Sequence, residues 1–205
     1  MGLYDAVAEY EGAHERVEQR PPLTEDTATP ELTLLHYTLE QKRATTLLLA
    51  AACVEAIANL YLSLKTSPDQ FAVLERATFL EKWSVVPSFV TPGYTLPKDC
   101  ELYQDVRRLQ ARRNALTHLK EEVTVGGVVH AGSMPEHAGD EHCFVKRCQS
   151  LPDRLVSHFA SFDKTDAIVL LRGNIVLAST FLEFRRCLTN PGGLTGSLTE
   201  PTATP

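Results

Sequence analysis

The chain has 205 residues, 43% of them hydrophobic, and a formal net charge of -6 at pH 7. That length allows one well-packed core, and the acidic balance excludes a general nucleic-acid coat, which needs broad positive potential. A local basic site remains open.

From the N-terminus, residues 2–20 carry Leu3, Val7, Tyr10 and Val17 between charges, a helical period that Pro21-Pro22 ends. No basic lead followed by an apolar core stands there, so a signal peptide is not expected and a cytoplasmic location is the default. Thr29 and Pro30 then have the chemistry of a helix N-cap and first position. Leu32, Leu35, Leu39, Leu47, Ala50, Val54, Ile57, Tyr61 and Leu64 follow at three- and four-residue steps with no Gly or Pro until Pro68. The pattern predicts one long helix of roughly nine turns. Its second half, Leu47 to Leu64, is apolar nearly all round, which implies contact on more than one side. No stretch approaches about 18 uninterrupted apolar residues, so no transmembrane helix is expected.

Ser67-Pro68 opens the next predicted helix, with Phe71, Leu74, Thr78 and Trp83 as its apolar face. Pro87, Pro92-Gly93 and Pro97 make the following stretch a loop. Asp99 is the expected cap of a helix carrying Leu102, Val106, Leu109, Leu116 and Leu119 and running to about Glu121. Residues 122–149 read differently: Val123 to Val129 is a possible small hairpin around Gly126-Gly127, followed by a loop containing Gly and His. Ser150-Leu151-Pro152 restarts a helix to about Phe162. Asp166 opens a last one through Ile168, Leu171, Ile175, Leu177, Phe181, Phe184 and Leu188. The polar, Gly/Pro/Thr-rich residues 189–205 are expected to be a disordered tail. The whole is an expected all-α helical bundle, a single domain over 1–188 with an insertion at 122–149.

Five cysteines (Cys53, Cys100, Cys143, Cys148 and Cys187) form no C-x-x-C pair, and a disulfide framework is not expected. His130, His137, His142, Cys143 and Cys148 cluster in a way that invites a zinc site, but their spacing matches no paired-ligand pattern and a solvated loop is the simpler account. His14, His36 and His158, each alone on a helical pattern, read as structural, as do Trp83 and Phe79 in the core. No metal and no cofactor is expected.

The chemistry concentrates in one helix. Arg107, Arg108, Arg112 and Arg113 lie within seven positions. Arg108 and Arg112 share a face. Asn114 and His118 stand about 40° apart around the axis, so their side chains are neighbours. Arg113, about 140° from His118, reaches the same spot only by its length. A guanidinium beside an amide and an imidazole suits a phosphodiester, because Arg forks onto phosphate oxygens and His exchanges a proton near pH 7. The competing account is structural: the macrodipole favours arginines near a helix end, and R-x-x-x-x-H arises by chance.

Leu109 to His118 (LQARRNALTH) resembles the signature helix of the HEPN superfamily, in which an Arg followed by a polar residue precedes a His by five positions. Ala51 to Asn59 (AACVEAIAN) resembles the Leu-Glu-Ala-x-Ile-Asn-type segment in the long helix of HEPN-like proteins. Phe79 to Trp83 (FLEKW) resembles the leucine-glutamate-lysine-tryptophan stretch that follows it. Together these cover roughly residues 30–120. The resemblance implies an up-and-down bundle that dimerises so that two motifs face one another. It further implies a metal-independent endoribonuclease of the kind found in toxin–antitoxin, abortive-infection or other antiviral systems, with RNA, and an antitoxin or other protein, as partners. On that reading His118 acts on the 2′-hydroxyl or the leaving oxygen, Arg113 stabilises the phosphorane charge and Asn114 positions one or the other. Glu55 pairs with Arg113 or orients His118, and Arg108, Arg112 and Lys120 contact RNA. The alternatives are a non-catalytic HEPN-like module binding a nucleotide, RNA or protein through the same cleft, and a zinc-dependent protein using the 130–148 loop.

Overall fold

The computed structural model describes residues 2–24, 26–117 and 138–173. Every regular element among them is a helix, in agreement with the expected all-α class.

Helix α1 (Leu3–Glu18) buries Leu3, Ala6, Val7, Tyr10 and Ala13, spaced three and four apart. It lies antiparallel to α2 (Pro30–Lys65). The Thr46 hydroxyl donates to the Ala6 carbonyl at 3.0 Å, Lys42 pairs with Glu9, and Arg20 reaches Glu31 at 3.8 Å. The start of α2 follows the capping chemistry its sequence predicts: the Thr29 hydroxyl accepts the Leu32 N–H at 3.2 Å, and Pro30 fills the first position. At 36 residues with a mean hydropathy of 1.9 in its most apolar window, α2 is long and apolar enough to cross a membrane. It passes that test although Glu55, Asn59 and Ser63 interrupt its apolar run. Its Leu47, Ala50, Ala51, Val54, Ala58, Tyr61 and Leu62 are instead buried at the centre of the core.

The helix expected from Pro68 to Trp83 is two short ones, α3 (Pro68–Leu74) and α4 (Glu81–Ser84), and a third, α5 (Val86–Val90), lies in the stretch expected to be loop. The break has a local cause. Thr78 and Glu81 form a reciprocal pair in which the Glu81 carboxylate accepts the Thr78 N–H at 2.9 Å and the Thr78 hydroxyl accepts the Glu81 N–H at 3.4 Å. That reciprocal pair, of capping-box type, closes a turn just ahead of α4 where apolar spacing alone read continuity. Pro87, read as loop, sits in the first turn of α5, where its missing N–H costs nothing.

Helix α6 (Glu101–Thr117) begins one residue later than expected, after Cys100, whose Sγ accepts the Tyr103 N–H at 3.4 Å. The expected hairpin at 123–129 lies outside the described residues. The second half of the expected loop is a helix, α7 (Ala138–Cys148). Acidic Asp140 and Glu141 in its first turn and basic Lys146 and Arg147 in its last suit the macrodipole. Its Phe144, Val145 and Cys148 are buried. Helix α8 (Leu151–Phe162) matches its expected bounds, and 166–173 is helical as expected; the remainder of that helix and the 189–205 tail lie outside the described residues.

One core cluster draws on α1, α2, α6, α7, α8 and 166–173. The Phe159 ring stacks on Tyr61 at 4.2 Å and Trp83 at 4.9 Å, and the Tyr94 hydroxyl donates to the Trp83 carbonyl at 2.6 Å. Beneath them the Tyr61 hydroxyl donates to Asp163 Oδ2 at 2.8 Å, and Lys65 Nζ lies 3.0 Å from the same oxygen. Burial works to raise the Asp163 pKa, but hydrogen bonds from Thr165, Lys65 and Tyr61 outweigh it and hold the carboxyl well below its usual range.

Candidate active site

The arginines of α6 are sorted by which way the helix turns them. Its buried face is Tyr103, Asp105, Val106 and Leu109, so its cations emerge on the flanks, where α7, α8 and α2 meet them.

On the α7 side the partner is Glu141, whose side chain is 6% exposed. Its Oε2 accepts from Arg108 Nη2 at 2.7 Å and from Arg112 Nη2 at 2.9 Å, while Oε1 accepts from Arg43 Nη1 at 3.3 Å. Asp140 adds a bond from Arg108 Nη1 at 2.8 Å, and the Arg108 guanidinium lies 4.3 Å over the Phe144 ring. Burial disfavours the Arg108 charge, but the bonds and charges of Glu141 and Asp140 outweigh it and raise its pKa. Arg43 also pairs with Glu40. Three cations thus meet three carboxylates, and the face expected to bind RNA through Arg108 and Arg112 is neutralised within the chain. A second knot ties the N-terminal half of α6 to α7 and α8: buried Asp105 accepts from Arg147 at 3.3 Å and Arg154 at 2.7 Å.

Arg113, one residue on, is placed differently. Its Nη2 lies 3.4 Å from Glu55 Oε2 on α2, and its guanidinium carbon is 5.9 Å from the centre of the buried Phe79 ring. The side chain is 37% exposed. Held by a carboxylate and flanked by a ring, the guanidinium keeps donors for a ligand. Of the two roles expected for Glu55, pairing with Arg113 is present in this geometry. Glu55 is shared: its other oxygen, Oε1, accepts from Lys82 Nζ of α4 at 3.0 Å. Asn114 is exposed. Arg107 is exposed too and has no ion-pair partner among the described residues. His118 and Lys120 lie outside the described residues.

Sequence reasoning missed Lys82 and Glu141 as members of these clusters, although both carried the same signal. Lys82 sits three after Phe79 and one before Trp83; Glu141 sits three before Phe144 and four before Val145. Each is a charge on an apolar helical stripe, which places it against the core and obliges it to find a partner.

The zinc alternative does not assemble among the described residues, where no group of three or more His, Cys, Asp or Glu side chains is placed to hold a metal ion. Cys148 is in the core, and burial pushes its thiol up to about 12. His142 stacks on His14 with ring centres 3.8 Å apart. His130 and His137 lie outside the described residues. His158 reads as structural, its Nε2 2.8 Å from the Thr95 carbonyl oxygen.

Comparison of the chain with protein-family models, with curated proteins and with solved structures finds no match.

Proposed function

We propose that the chain is a HEPN-like endoribonuclease that works without a metal, as a homodimer, in a toxin–antitoxin or antiviral setting. The observation that carries the reading is the state of Arg113: tethered by Glu55, flanked by Phe79 and partly open to solvent, one residue before Asn114 and five before His118.

In this reading a phosphodiester docks on the free donors of Arg113. His118 takes the proton of the 2′-hydroxyl, whose oxygen attacks phosphorus. The bond to the 5′-oxygen breaks, that oxygen leaves with a proton taken from water, and a 2′,3′-cyclic phosphate remains. Negative charge that builds on the phosphorane is met by the guanidinium, which Glu55 holds in place beforehand. Asn114 supplies an exposed amide for orientation. Phosphate contacts beyond the motif fall to Arg107 rather than to Arg108 and Arg112, whose charges Glu141 and Asp140 consume. The exposed stripe of α2, with Leu34, Tyr37 and Leu48 at its apolar points and exposed Ala52 and Ala56 further along it, supports a second copy as partner, since small residues allow close helix approach.

The test is incubation of the purified protein with single-stranded and structured RNA in EDTA, beside His118→Ala and Arg113→Ala. Cleavage in EDTA that both variants lose supports the reading. Wild-type protein that binds RNA but cuts none of it replaces the reading with the non-catalytic module. Sedimentation of wild type against Leu48→Glu reads the dimer, which the charge is expected to split.

A further inference from the structure

The shared carboxylate of Glu55 has an electrostatic consequence for its two cations. Lys82 is only 4% exposed, and among the described residues its ammonium has Glu55 as its one ionic partner. Arg113 likewise pairs with Glu55 alone among them. Two cations against one carboxylate leave the cluster with one net positive charge. Without Lys82, Glu55 and Arg113 would form a neutral pair with little pull on an anion.

Stability does not account for that lysine. Burying an ammonium costs hydration that one ion pair barely returns, and an apolar side chain of the same length fills the space without the cost. What an apolar residue could not do is occupy Oε1 of Glu55, fixing the carboxylate so that Oε2 faces Arg113, and cancel its charge from behind. The ammonium is shielded from solvent, so salt screens it weakly. Arg113 stands on the other side, toward solvent.

We propose that Lys82 is a positioning residue of the Arg113 site: a buried cation that orients and neutralises Glu55 and so leaves the Arg113 charge to an anionic group, a phosphate. The inference rests on the reading of Arg113 as the phosphate contact, but it does not require that cleavage follow.

Two variants separate charge from position. Lys82→Met keeps length and removes the cation, making the cluster neutral. Lys82→Met with Glu55→Gln returns the net charge to one but leaves Arg113 without its tether. Three readouts apply: thermal melting, the Arg113 Nε–Hε signal in nitrogen-15 NMR during titration with inorganic phosphate, and binding and cleavage of a labelled single-stranded RNA. For Lys82→Met we expect phosphate and RNA affinity to fall about ten-fold and the salt slope of RNA binding to drop by about one, with the melt close to wild type. For the double variant we expect affinity to return while the cleavage rate stays down by on the order of a hundred-fold, because the guanidinium is no longer held.

If wild-type Arg113 responds to phosphate and Lys82→Met does not, the proposal stands whether or not RNA is cut, and an absence of cutting then counts against the nuclease reading alone. If RNA is cut and Lys82→Met binds and cuts like wild type, the proposal is overturned and the nuclease reading survives. It is overturned equally if both variants melt far below wild type, since Lys82 is then a structural ion-pair partner, or if phosphate leaves the wild-type Arg113 signal unmoved.

Discussion

Arg112 and Arg113 are neighbours in the chain, yet a turn of about 100° on α6 gives them opposite fates. Arg112 joins Arg108 and Arg43 around Glu141, a carboxylate almost out of solvent, and each charge in that knot is matched. Arg113 shares the partly exposed Glu55 with a buried lysine, so its charge is left over. The first arrangement fastens α7 to α6 and α2, whereas the second presents a guanidinium. Counting arginines along a helix therefore says little about where an anion can bind; what matters is which carboxylate each one meets and how many cations share it.

The sharpest way to break this contrast is to remove Glu141. Glu141→Ala leaves Arg43, Arg108 and Arg112 crowded without their common partner, and losing one side of a buried charge network costs about 3–5 kcal/mol. Urea or thermal unfolding is expected to show a loss of that size. Glu141→Ala unfolding like wild type would mean that the knot is not structural, and the contrast with Arg113 would fail.

At Arg113 the expectation is reversed. Arg113→Ala is expected to reduce RNA cleavage about 10²–10³-fold, the usual effect of removing one donor aimed at developing charge. Its stability should change by no more than about 1 kcal/mol, because the pair with Glu55 is partly exposed. A variant that loses stability as Glu141→Ala does, with cleavage intact in the folded fraction, would reverse the assignment of the two sites.

A smaller effect separates Arg107, unpaired among the described residues, from the paired arginines. Arg107→Ala is expected to lower the salt slope of RNA binding by about one. Arg108→Ala should leave that slope unchanged and instead lower stability, since its charge is taken up by Glu141 and Asp140. Equal slopes for the two variants would show that intramolecular pairing does not withdraw Arg108 from the ligand.

Much of this architecture was legible because it rests on local rules. Thr29-Pro30 and Ser67-Pro68 mark helix starts by capping chemistry that needs no tertiary context, and the apolar steps from Leu32 to Leu64 are dense enough to read as one helix. Two readings failed for physical reasons. The Thr78-x-x-Glu81 box competes with the apolar spacing from Phe71 to Trp83, and two reciprocal hydrogen bonds prevail over a weak stripe. In α7 the glycine and histidines near its start hid the spacing of Glu141, Phe144, Val145 and Cys148, where a glutamate on the apolar face looked like a defect. The motif Arg113–Asn114 was legible as residue types. Its tether was legible only as one of two options for Glu55, because α2 and α6 meet through packing that spacing does not encode. The pairing of Arg108 and Arg112 with α7 was not legible, since that helix was itself unread.

The α7 knot has a second, weaker side that responds to pH. His142, next to Glu141, stacks on His14 of α1 at 3.8 Å, with its Nδ1 3.3 Å from the Tyr10 hydroxyl. Burial holds the His142 pKa below its ordinary value of 6.5, helped by the His14 ring and the Lys146 charge against the opposing pull of Glu18 and Glu11. The folded protein therefore keeps His142 neutral where the unfolded chain takes up a proton. The stabilisation is complete above about pH 6.5 and is lost as the pH falls through the depressed folded value. Denaturation midpoints measured on both sides of pH 6.5 should fall with acid in wild type and fall less in His142→Gln, with hydrogen exchange of α1 and α7 rising first. If the acid-linked loss is the same in both proteins, the stacked pair carries none of it, and α7 is held by its ion pairs through Glu141 and Arg147 and by its buried apolar face.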